Sequence, residues 1–269
     1  MLSEKTRKVL EIAQKAGEFV YSRRHSVGKI ETKSSAIDVV TEVDREAQTL
    51  ITQELHRYFP ADLIWGEESE YPLHDFSSTW VIDPVDGTNN YIHGLPFYAV
   101  SIAYFREGKP SIGVIYAPVL GEFFFAEEGE GAFLNEQPIR VSPLRAWHQA
   151  IVGTGFPHDG RSWKLMEPLY AHLSQRCQAL RAMGSAALGV AYVACGRLEG
   201  YVQLGVSFYD VAAGVCLVRE AGGLVSDLWG NEWTFASRSL WVTNGLLDLH
   251  TAKASLPQEN PVGSKESLG

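Results

Sequence analysis

The first sixty residues alternate apolar and polar positions with the period of two amphipathic helices. The first helix is predicted behind Ser3 as its cap, and its apolar positions are Val9, Ile12, Ala13, Ala16 and Val20. A short extended stretch over residues 37–40 leads to a second helix, which should end before Pro60. The inward positions of the second helix should be Ala47, Leu50, Ile51, Leu55 and Tyr58.

Beyond Pro60 the pattern becomes that of short strands separated by turns. Strands are predicted at residues 63–65, 80–82, 98–105, 111–116, 122–126 and 151–154. The segment Gly108-Lys109-Pro110 is predicted to be the hairpin loop between two of them.

From residue 162 helices and strands alternate. Helices are predicted at residues 162–175, 185–194 and 209–220, and strands near Leu180 and at 201–203, 224–225 and 240–242. This order indicates a layered α/β or α+β protein. We expect one domain over residues 1–269, with subdomains of about 1–145 and 146–256, and a loose polar tail at 257–269.

Composition excludes several classes of protein. A net charge of −9 argues against general nucleic-acid binding, because cations are lacking to neutralise the phosphates. Apolar runs are far shorter than the roughly 18 residues that a membrane span needs, and the start of the chain has no signal-peptide core. Cys177, Cys195 and Cys216 are odd in number and widely spaced. They suggest neither zinc nor a disulfide framework, so a cytoplasmic setting is expected.

Two carboxylates lie close together in the segment Asp83-Pro84-Val85-Asp86. An apolar strand should end at Asp83, and Pro84 should hold Asp83 extended. Asp86 should follow after a tight turn, with the Val85 carbonyl between the two acids. Such oxygen ligands can converge on a hard cation. The alternative is an ordinary solvated turn whose aspartates only cap a helix.

Gly87 and Thr88 follow these acids and should open a short helical segment. The free N–H groups at the start of a helix form a natural seat for a phosphate group.

Three further acidic segments are candidates for the same site. Glu67 and Glu68 follow the strand at 63–65, Asp44 lies at the start of the second helix, and Asp210 begins a later helix. Each has an ordinary alternative: solvation for the paired glutamates, a capping box with Thr41 for Asp44, and a favourable helix start for Asp210. Carboxylates without Cys or His partners favour Mg²⁺, Mn²⁺ or Ca²⁺ over zinc.

These segments resemble the inositol monophosphatase family of the lithium-sensitive, Mg²⁺-dependent phosphatase superfamily. The landmarks, in order, are residues 38–44, 66–69, 80–91 and 210–214. The segment Gly153-Thr154-Gly155-Phe156-Pro157 is similar to bacterial-type members. The resemblance implies an αβαβα sandwich, a homodimer and two or three Mg²⁺ ions per site, for which Mn²⁺ can substitute.

The resemblance also implies roles for individual residues. One metal would be held by Glu67, Asp83 and the Val85 carbonyl, and a second by Asp83, Asp86 and Asp210; Glu67 would help to position a third through water. Asp44, Glu67 and Thr88 would orient the attacking water. The phosphate and the rest of the substrate would be contacted by Asp86, Gly87, Thr88, Gly184, Ser185, Ala186, Ala187 and Gln203.

Gln203 departs from the family pattern, which has glutamate at this position. Glutamate accepts hydrogen bonds from two sugar hydroxyls, whereas glutamine offers one acceptor group and one donor group. We therefore expect altered or relaxed sugar selectivity with intact metal chemistry. Phe208-Tyr209 in place of the usual tryptophan should matter little, because one aromatic replaces another.

The predicted activity is hydrolysis of a small phosphate monoester, similar to inositol-1-monophosphatase, in an in-line displacement by metal-activated water. Other superfamily substrates stay open: histidinol phosphate, fructose 1,6-bisphosphate or a nucleotide 3′-phosphate. Asn89-Asn90 weighs against nucleotides, because the related nucleotidases tend to carry a basic residue there. A regulatory binding protein that retains the fold is the alternative outside enzymes.

Overall fold

The computed structural model describes residues 2–26, 28–32, 39–69, 76–157 and 160–247. The helices within these ranges are α1 (Glu4–Arg23), α2 (Glu42–Tyr58), α3 (Thr88–Ile92), α4 (Gly160–Arg176), α5 (Ala186–Ala194) and α6 (Phe208–Glu220). The first nine strands are β1 (Ile30–Thr32), β2 (Val39–Thr41), β3 (Leu63–Gly66), β4 (Ser78–Asp86), β5 (Ala99–Arg106), β6 (Lys109–Ala117), β7 (Glu122–Glu127), β8 (Gly131–Leu134) and β9 (Gln137–Ile139). The remaining strands are β10 (Ile151–Thr154), β11 (Ala179–Ala182), β12 (Gly200–Leu204), β13 (Leu224–Ser226) and β14 (Ser239–Thr243).

A seven-stranded sheet contains β3 to β9 in sequence order. Only β3 and β4 are parallel neighbours in this sheet, and every other pair is antiparallel. The strand that was expected to end at Asp83 continues to Asp86, with a register shift between these two residues. Pro84 lies within that irregular part, where a missing backbone N–H is tolerated.

The predicted hairpin loop at 108–110 is wrong in its position. Lys109 and Pro110 belong to β6, and the turn is made by Glu107 and Gly108, both with positive φ. Strands β8 and β9 were not predicted.

Helices α1 and α2 cover one face of this sheet. Ser3 caps α1 as predicted, and its hydroxyl accepts a hydrogen bond from the Thr6 N–H. The predicted apolar face of α1 is buried, as are Ala47, Ile51 and Leu55 of α2. Leu50 is half-buried and packs against this apolar layer as predicted, whereas Tyr58 is 38% exposed, so its inward assignment was wrong. Tyr58 is exposed because it is the last residue of α2 and lies beyond the edge of the apolar layer.

Helices α5 and α6 pack against the opposite face, and their small residues allow a close approach. A Cβ atom at Gly113 of β6 would lie 2.3 Å from the carbonyl oxygen of Ala213 in α6. A Cβ atom at Gly214 would lie 2.5 Å from the side chain of Val190 in α5. These glycines let the two helices form one thin layer on the sheet.

A five-stranded sheet with the order β11-β10-β12-β14-β13 lies on the other side of α5 and α6. Its outer face packs against α4 through Met166, Leu169 and Leu173, which are buried with Val152 and Val202. The layers are therefore α1/α2, large sheet, α5/α6, small sheet and α4. This confirms the layered fold predicted from the order of elements, and it is the αβαβα sandwich implied by the resemblance.

The two sheets separate between β9 and β10, in the region where the sequence suggested a subdomain boundary. Asp38 and the predicted tail at 257–269 lie outside the described residues. Among the helices of the described ranges, none is long and apolar enough to cross a membrane.

Candidate active site

The two aspartates of the segment 83–86 are both buried near the end of β4. Asp83 is 2% exposed and Asp86 is 6% exposed. The Val85 N–H donates to Asp83 Oδ1 over 3.1 Å, which holds that carboxylate against its own strand. Such a local hydrogen bond compensates only part of the loss of water around a carboxylate.

Gly87 turns the chain from β4 into α3. Its φ is +89°, a left-handed conformation that favours glycine. A Cβ atom here would also lie 2.8 Å from the Phe97 carbonyl oxygen and 3.0 Å from the Gly184 carbonyl oxygen. Gly87 therefore forms the turn that the sequence predicts. Its lack of a side chain also allows α3 to lie next to the loop that precedes α5.

Asp44 joins α2 to this turn. Asp44 and Thr41 form the capping box expected from the sequence, with the Thr41 N–H donating to Asp44 Oδ2 over 3.0 Å. The Thr88 hydroxyl lies 3.0 Å from Asp44 Oδ1 and 3.0 Å from the Val85 carbonyl oxygen. A capping role and a place in the acidic site are thus compatible, because the two oxygens of Asp44 face different partners.

Glu67 reaches the same region through the parallel pairing of β3 with β4. Gly66 is the register partner of Ile82, and the Glu67 N–H donates to the Ile82 carbonyl oxygen over 2.9 Å. Glu67 directly follows β3 and therefore lies beside Asp83 of β4. A Cβ atom at Gly66 would lie 2.1 Å from Gln48 Oε1, so a larger residue there would displace the Gln48 side chain of α2.

Asp86 is held by the N-terminus of α5. The Ala186 N–H donates to Asp86 Oδ1 over 3.1 Å, and the Ala187 N–H donates to Asp86 Oδ2 over 3.1 Å. The Ser185 hydroxyl also donates to Asp86 Oδ2. Ser185 and Ala186 were predicted to bind substrate, but here their hydrogen-bond donors are directed at Asp86. Both residues are buried.

Asp210 and Gln203 come from the half of the chain that follows β10. Asp210 accepts a hydrogen bond from the Ser207 N–H over 3.0 Å in a second capping box. Gln203 is half-buried on β12 and accepts a hydrogen bond from the Tyr201 hydroxyl.

The electrostatics show that these acids are neighbours. Burial raises the pKa of Asp83 well above its usual range, and the negative charges of Glu67, Asp86, Asp210 and Asp44 raise it further. Burial also raises the pKa of Asp44, against the hydrogen bonds from Thr41 and Thr88. Glu67, Asp86, Asp210 and Asp44 are therefore all within electrostatic range of Asp83.

Burial raises the pKa of Asp86 to about 7, although the hydrogen bonds from Ser185, Ala186 and Ala187 act in the opposite direction. The charge of Glu67 adds to the rise. An arrangement in which buried carboxylates raise one another's pKa favours a bound cation.

The donor set fits a hard divalent cation in its chemistry, since it consists of carboxylates and one backbone carbonyl without Cys or His. In the described ranges, no three His, Cys, Asp or Glu side chains are already grouped closely enough to hold a metal ion. Part of the reason is visible at Asp86, whose two oxygens are turned toward α5.

Two residues near the acids were missed as contributors by sequence reasoning. The Asn90 side-chain amide donates to the carbonyl oxygens of Phe97, over 2.7 Å, and Met183, over 2.9 Å. It thereby fixes the loop before α5 to the end of α3. Tyr201, the second, binds Gln203. No local pattern marks either residue, because their partners are set by the packing of the two sheets.

Comparison with known proteins gives consistent results. The sequence profile of the inositol monophosphatase family matches residues 1–259. A Thermotoga maritima protein named fructose-1,6-bisphosphatase/inositol-1-monophosphatase is 37% identical over 256 residues, covering 95% of this chain and 97% of that protein. The Nus factor SuhB of Pasteurella multocida is 40% identical over 230 residues, covering 83% of this chain and 85% of that protein.

A crystal structure of the extragenic suppressor protein suhB from Bartonella henselae has the same fold. Its TM-score is 0.89 at 35% sequence identity, and the match covers 94% of this chain and 98% of that one. Since the profile spans nearly the whole sequence and the relatives match over most of their length, the chain belongs to the inositol monophosphatase family.

Proposed function

We propose that this chain is a Mg²⁺-dependent phosphatase that hydrolyses a small phosphate monoester by in-line attack of water. The observation that carries the proposal is the set of four carboxylates, from four segments, whose charges act on buried Asp83. Members of the family are phosphatases and are generally metal-dependent, which supports the same reading.

Glu67, Asp83 and the Val85 carbonyl would hold one Mg²⁺, and Asp83, Asp86 and Asp210 a second. When bound, the metal would neutralise the phosphate and make an attacking water more acidic. The phosphate would then be attracted by cations in a protein whose net charge is −9.

Asp44 and Thr88 would orient the attacking water. The Thr88 hydroxyl has a single proton and lies 3.0 Å from two acceptors, Asp44 Oδ1 and the Val85 carbonyl oxygen. When it donates to Asp44, its lone pairs stay available to a water proton. The raised pKa of Asp44 suits it to share or accept that proton.

The turn at Gly87 supplies the phosphate contacts in this proposal. Gly87 caps α3 and Thr88 is its first residue, so the N–H groups of both have no partner within that helix. Oriented N–H donors of this kind stabilise anionic oxygens without reorganising during the reaction. Asp86 and the segment from Gly184 to Ala186, which lies against Gly87 and Asp86, would supply further substrate contacts.

A phosphate-release screen tests the proposed reaction directly. The substrates would be inositol 1-phosphate, histidinol phosphate, fructose 1,6-bisphosphate and a nucleotide 3′-phosphate, each with Mg²⁺ and with EDTA. Release from at least one substrate with Mg²⁺ and its loss with EDTA are expected. The absence of metal-dependent release from all four would contradict the proposal.

Substitution of Asp86 gives a sharper test at the residue level. Loss of an outer-shell partner of a metal ligand lowers activity by roughly 10- to 100-fold, which is the effect expected for Ser185→Ala. Asp86→Asn should lower kcat by more than that and leave a folded protein, because the amide keeps acceptor capacity but loses the charge. Equal losses in the two variants, measured with circular dichroism as the folding control, would show that Asp86 is no ligand.

A second candidate function comes from the relatives named Nus factor SuhB. It is a binding role independent of catalysis. Complementation of a strain that lacks the Nus factor SuhB would test it, with the wild-type chain and Asp86→Asn compared side by side. Rescue by both would favour the binding role, and rescue by neither would exclude it.

The resemblance supports three further properties: a homodimer, inhibition by Li⁺ and a cytoplasmic setting. Sedimentation at several protein concentrations and Li⁺ titration of the released phosphate check the first two. The three cysteines are free, as a reducing compartment requires.

A further inference from the structure

Asn90 joins two loops that come from different halves of the chain. It lies in α3, close behind the turn that leads out of β4, and is only 8% exposed. Its side-chain nitrogen donates to the Phe97 carbonyl oxygen over 2.7 Å and to the Met183 carbonyl oxygen over 2.9 Å. Phe97 precedes β5 of the large sheet, whereas Met183 lies between β11 of the small sheet and α5. One amide group therefore bridges the two halves.

The two bonds fix the orientation of the Asn90 amide. Both are made by its NH₂ group, which has two protons, so each carbonyl group receives a proton of its own. A flipped amide would place Oδ1 against the same two carbonyl oxygens, and three acceptors would then face one another. The position therefore suits asparagine, and an aspartate of the same shape would be repelled.

Gly184 makes room for this amide. Its φ is +72°, and a Cβ atom there would lie 2.7 Å from Asn90 Nδ2. The carbonyl oxygen of Gly184 approaches the turn after β4, where it would lie 3.0 Å from a Cβ atom at Gly87. The loop before α5 thus contacts the turn after β4 without an intervening side chain.

The same loop holds Asp86 at its other end. Ser185 is the cap of α5, and its hydroxyl donates to Asp86 Oδ2. The next two backbone N–H groups of α5 donate to the two oxygens of Asp86 over 3.1 Å each. The loop is therefore joined to the segment that follows β4 at two points: through Asn90 and Met183, and through Asp86 and the first turn of α5.

We infer that Asn90 is a positioning residue that keeps the donors of α5 on Asp86 and so prepares this carboxylate to bind Mg²⁺. The inference rests on the proposed function, in which Asp86 is a ligand of the second metal. Without the bond to Met183 the loop is held at one end only, so its donors can move away from Asp86. Loss of the partners that orient a metal ligand lowers metal affinity by about 10- to 100-fold.

Mg²⁺ calorimetry tests the inference without turnover. Asn90→Ala removes both donors, and Asn90→Asp replaces them with carboxylate oxygens that repel the two carbonyl groups. Both variants should bind Mg²⁺ about 10- to 100-fold more weakly than the wild-type chain, with the larger loss in Asn90→Asp. Asn89→Asp is the matched control, because Asn89 is exposed on the same turn of α3 and gains the same charge. Equal losses in the two aspartate variants, or wild-type affinity in Asn90→Ala, would overturn the inference.

Amide hydrogen exchange, followed without metal, shows whether the change is local. The N–H groups of Ala186 and Ala187 should exchange faster in Asn90→Ala and at the wild-type rate in Asn89→Ala, because they depend on the loop for their bonds to Asp86. The N–H groups of β5 should keep their protection, which distinguishes this effect from a general loss of stability. Unchanged exchange at Ala186 and Ala187 would contradict the role of Asn90.

A double-mutant cycle with Ser185→Ala tests whether Asn90 acts through this loop. The loss of Mg²⁺ affinity in the double variant with Asn90→Ala should be smaller than the product of the two separate losses, whereas Asn89→Ala and Ser185→Ala should combine as a simple product. A simple product for Asn90→Ala would also overturn the inference.

These measurements separate the inference from the proposed reaction. If no phosphate ester is hydrolysed while Mg²⁺ binding and hydrogen exchange behave as expected, the proposed phosphatase reaction fails and the positioning by Asn90 stands. Absence of Mg²⁺ binding by the wild-type chain would overturn both.

Discussion

Gly87 combines two requirements that a single residue type satisfies. Its φ of +89° needs a residue that tolerates the left-handed region, and its close contacts with the Phe97 and Gly184 carbonyl oxygens need one without a Cβ atom. Gly94 nearby has a φ of +71°, but no atom of the described part of the chain would lie within 4 Å of a Cβ atom there. A comparison of the two glycines therefore distinguishes the cost of backbone strain, which both share, from the cost of a steric clash, which only Gly87 has.

Replacement of each by alanine should show this difference. Gly94→Ala should lower the free energy of unfolding by about 1–2 kcal/mol, the strain of a left-handed residue. Gly87→Ala should lower it by roughly 1–3 kcal/mol more, because the carbonyl groups of Phe97 and Gly184 must move. Urea unfolding measures the free energies, and kcat should fall only in Gly87→Ala. Equal effects in both variants would mean that the close contact is relieved without consequence.

At the scale of elements, α1 contacts the large sheet through Lys5, whose ammonium group lies next to Asp62 and over the ring of Tyr104. Lys5 Nζ lies 2.6 Å from Asp62 Oδ2 and 3.7 Å from the centroid of the Tyr104 ring. Asp62 also accepts hydrogen bonds from the Ser78 hydroxyl over 2.6 Å and from Trp80 Nε1 over 3.0 Å. Asp62 thus connects α1 with β4 through the short segment that follows α2.

The charge of Asp62 should make this attachment depend on pH. Burial alone would raise the pKa of Asp62, but the hydrogen bonds from Lys5 and Ser78 outweigh it and the pKa is lowered. A carboxyl whose pKa is lower in the folded state stabilises the fold above its unfolded pKa, near 3.9, and this contribution disappears as pH falls through the folded pKa.

Asp62→Asn should therefore lower the free energy of unfolding by about 1 kcal/mol at pH 7, and this difference should shrink as pH falls from about 3.9 through the lowered folded pKa. Glu54→Gln is the control, since Glu54 binds Lys15 at an exposed position and should contribute less. Thermal unfolding between pH 2.5 and pH 7 is the measurement. A constant difference between wild type and Asp62→Asn over this range would show that the effect is not electrostatic.

At the scale of the molecule, the central helix layer fixes the distance between the two sheets. The close approach of Gly113 in β6 to the Ala213 carbonyl oxygen in α6 sets the depth of that layer on the large sheet. Ser207 caps α6 and Asp210 lies in its first turn. The packing of α6 on the large sheet therefore also sets the position of Asp210 relative to the acids of β4.

Gly113→Ala tests this arrangement. The new Cβ atom would lie 2.3 Å from a backbone oxygen, so the helix or the sheet must shift, and the free energy of unfolding should fall by about 1–3 kcal/mol. Gly160→Ala at the start of α4 is the control, because a Cβ atom there has no neighbour within 4 Å among the residues that the structure describes. A Gly113→Ala variant as stable as Gly160→Ala would show that the layers can separate freely.

The order of elements was accessible from the sequence because most elements carry a periodic apolar face or a cap such as Ser3. Strands β8 and β9 lacked this signal: they are short, and their connection places Asn135 and Glu136 at positive φ without a glycine. The five acids were likewise recognisable one by one. Their convergence, and the contacts of Asn90 and Tyr201, depend on long-range packing that no local pattern specifies.

The bond between Asp86 and Ser185 also has a consequence for how the protein is made. These residues are 99 positions apart, so at a synthesis rate of about 5–20 residues per second the ribosome adds the partner some 5–20 s after the acid. Until then a nascent chain carries β4 without the end of α5 that donates hydrogen bonds to Asp86. Activity should therefore arise late in synthesis, when the second sheet has joined the first, and no half of the chain should show it alone.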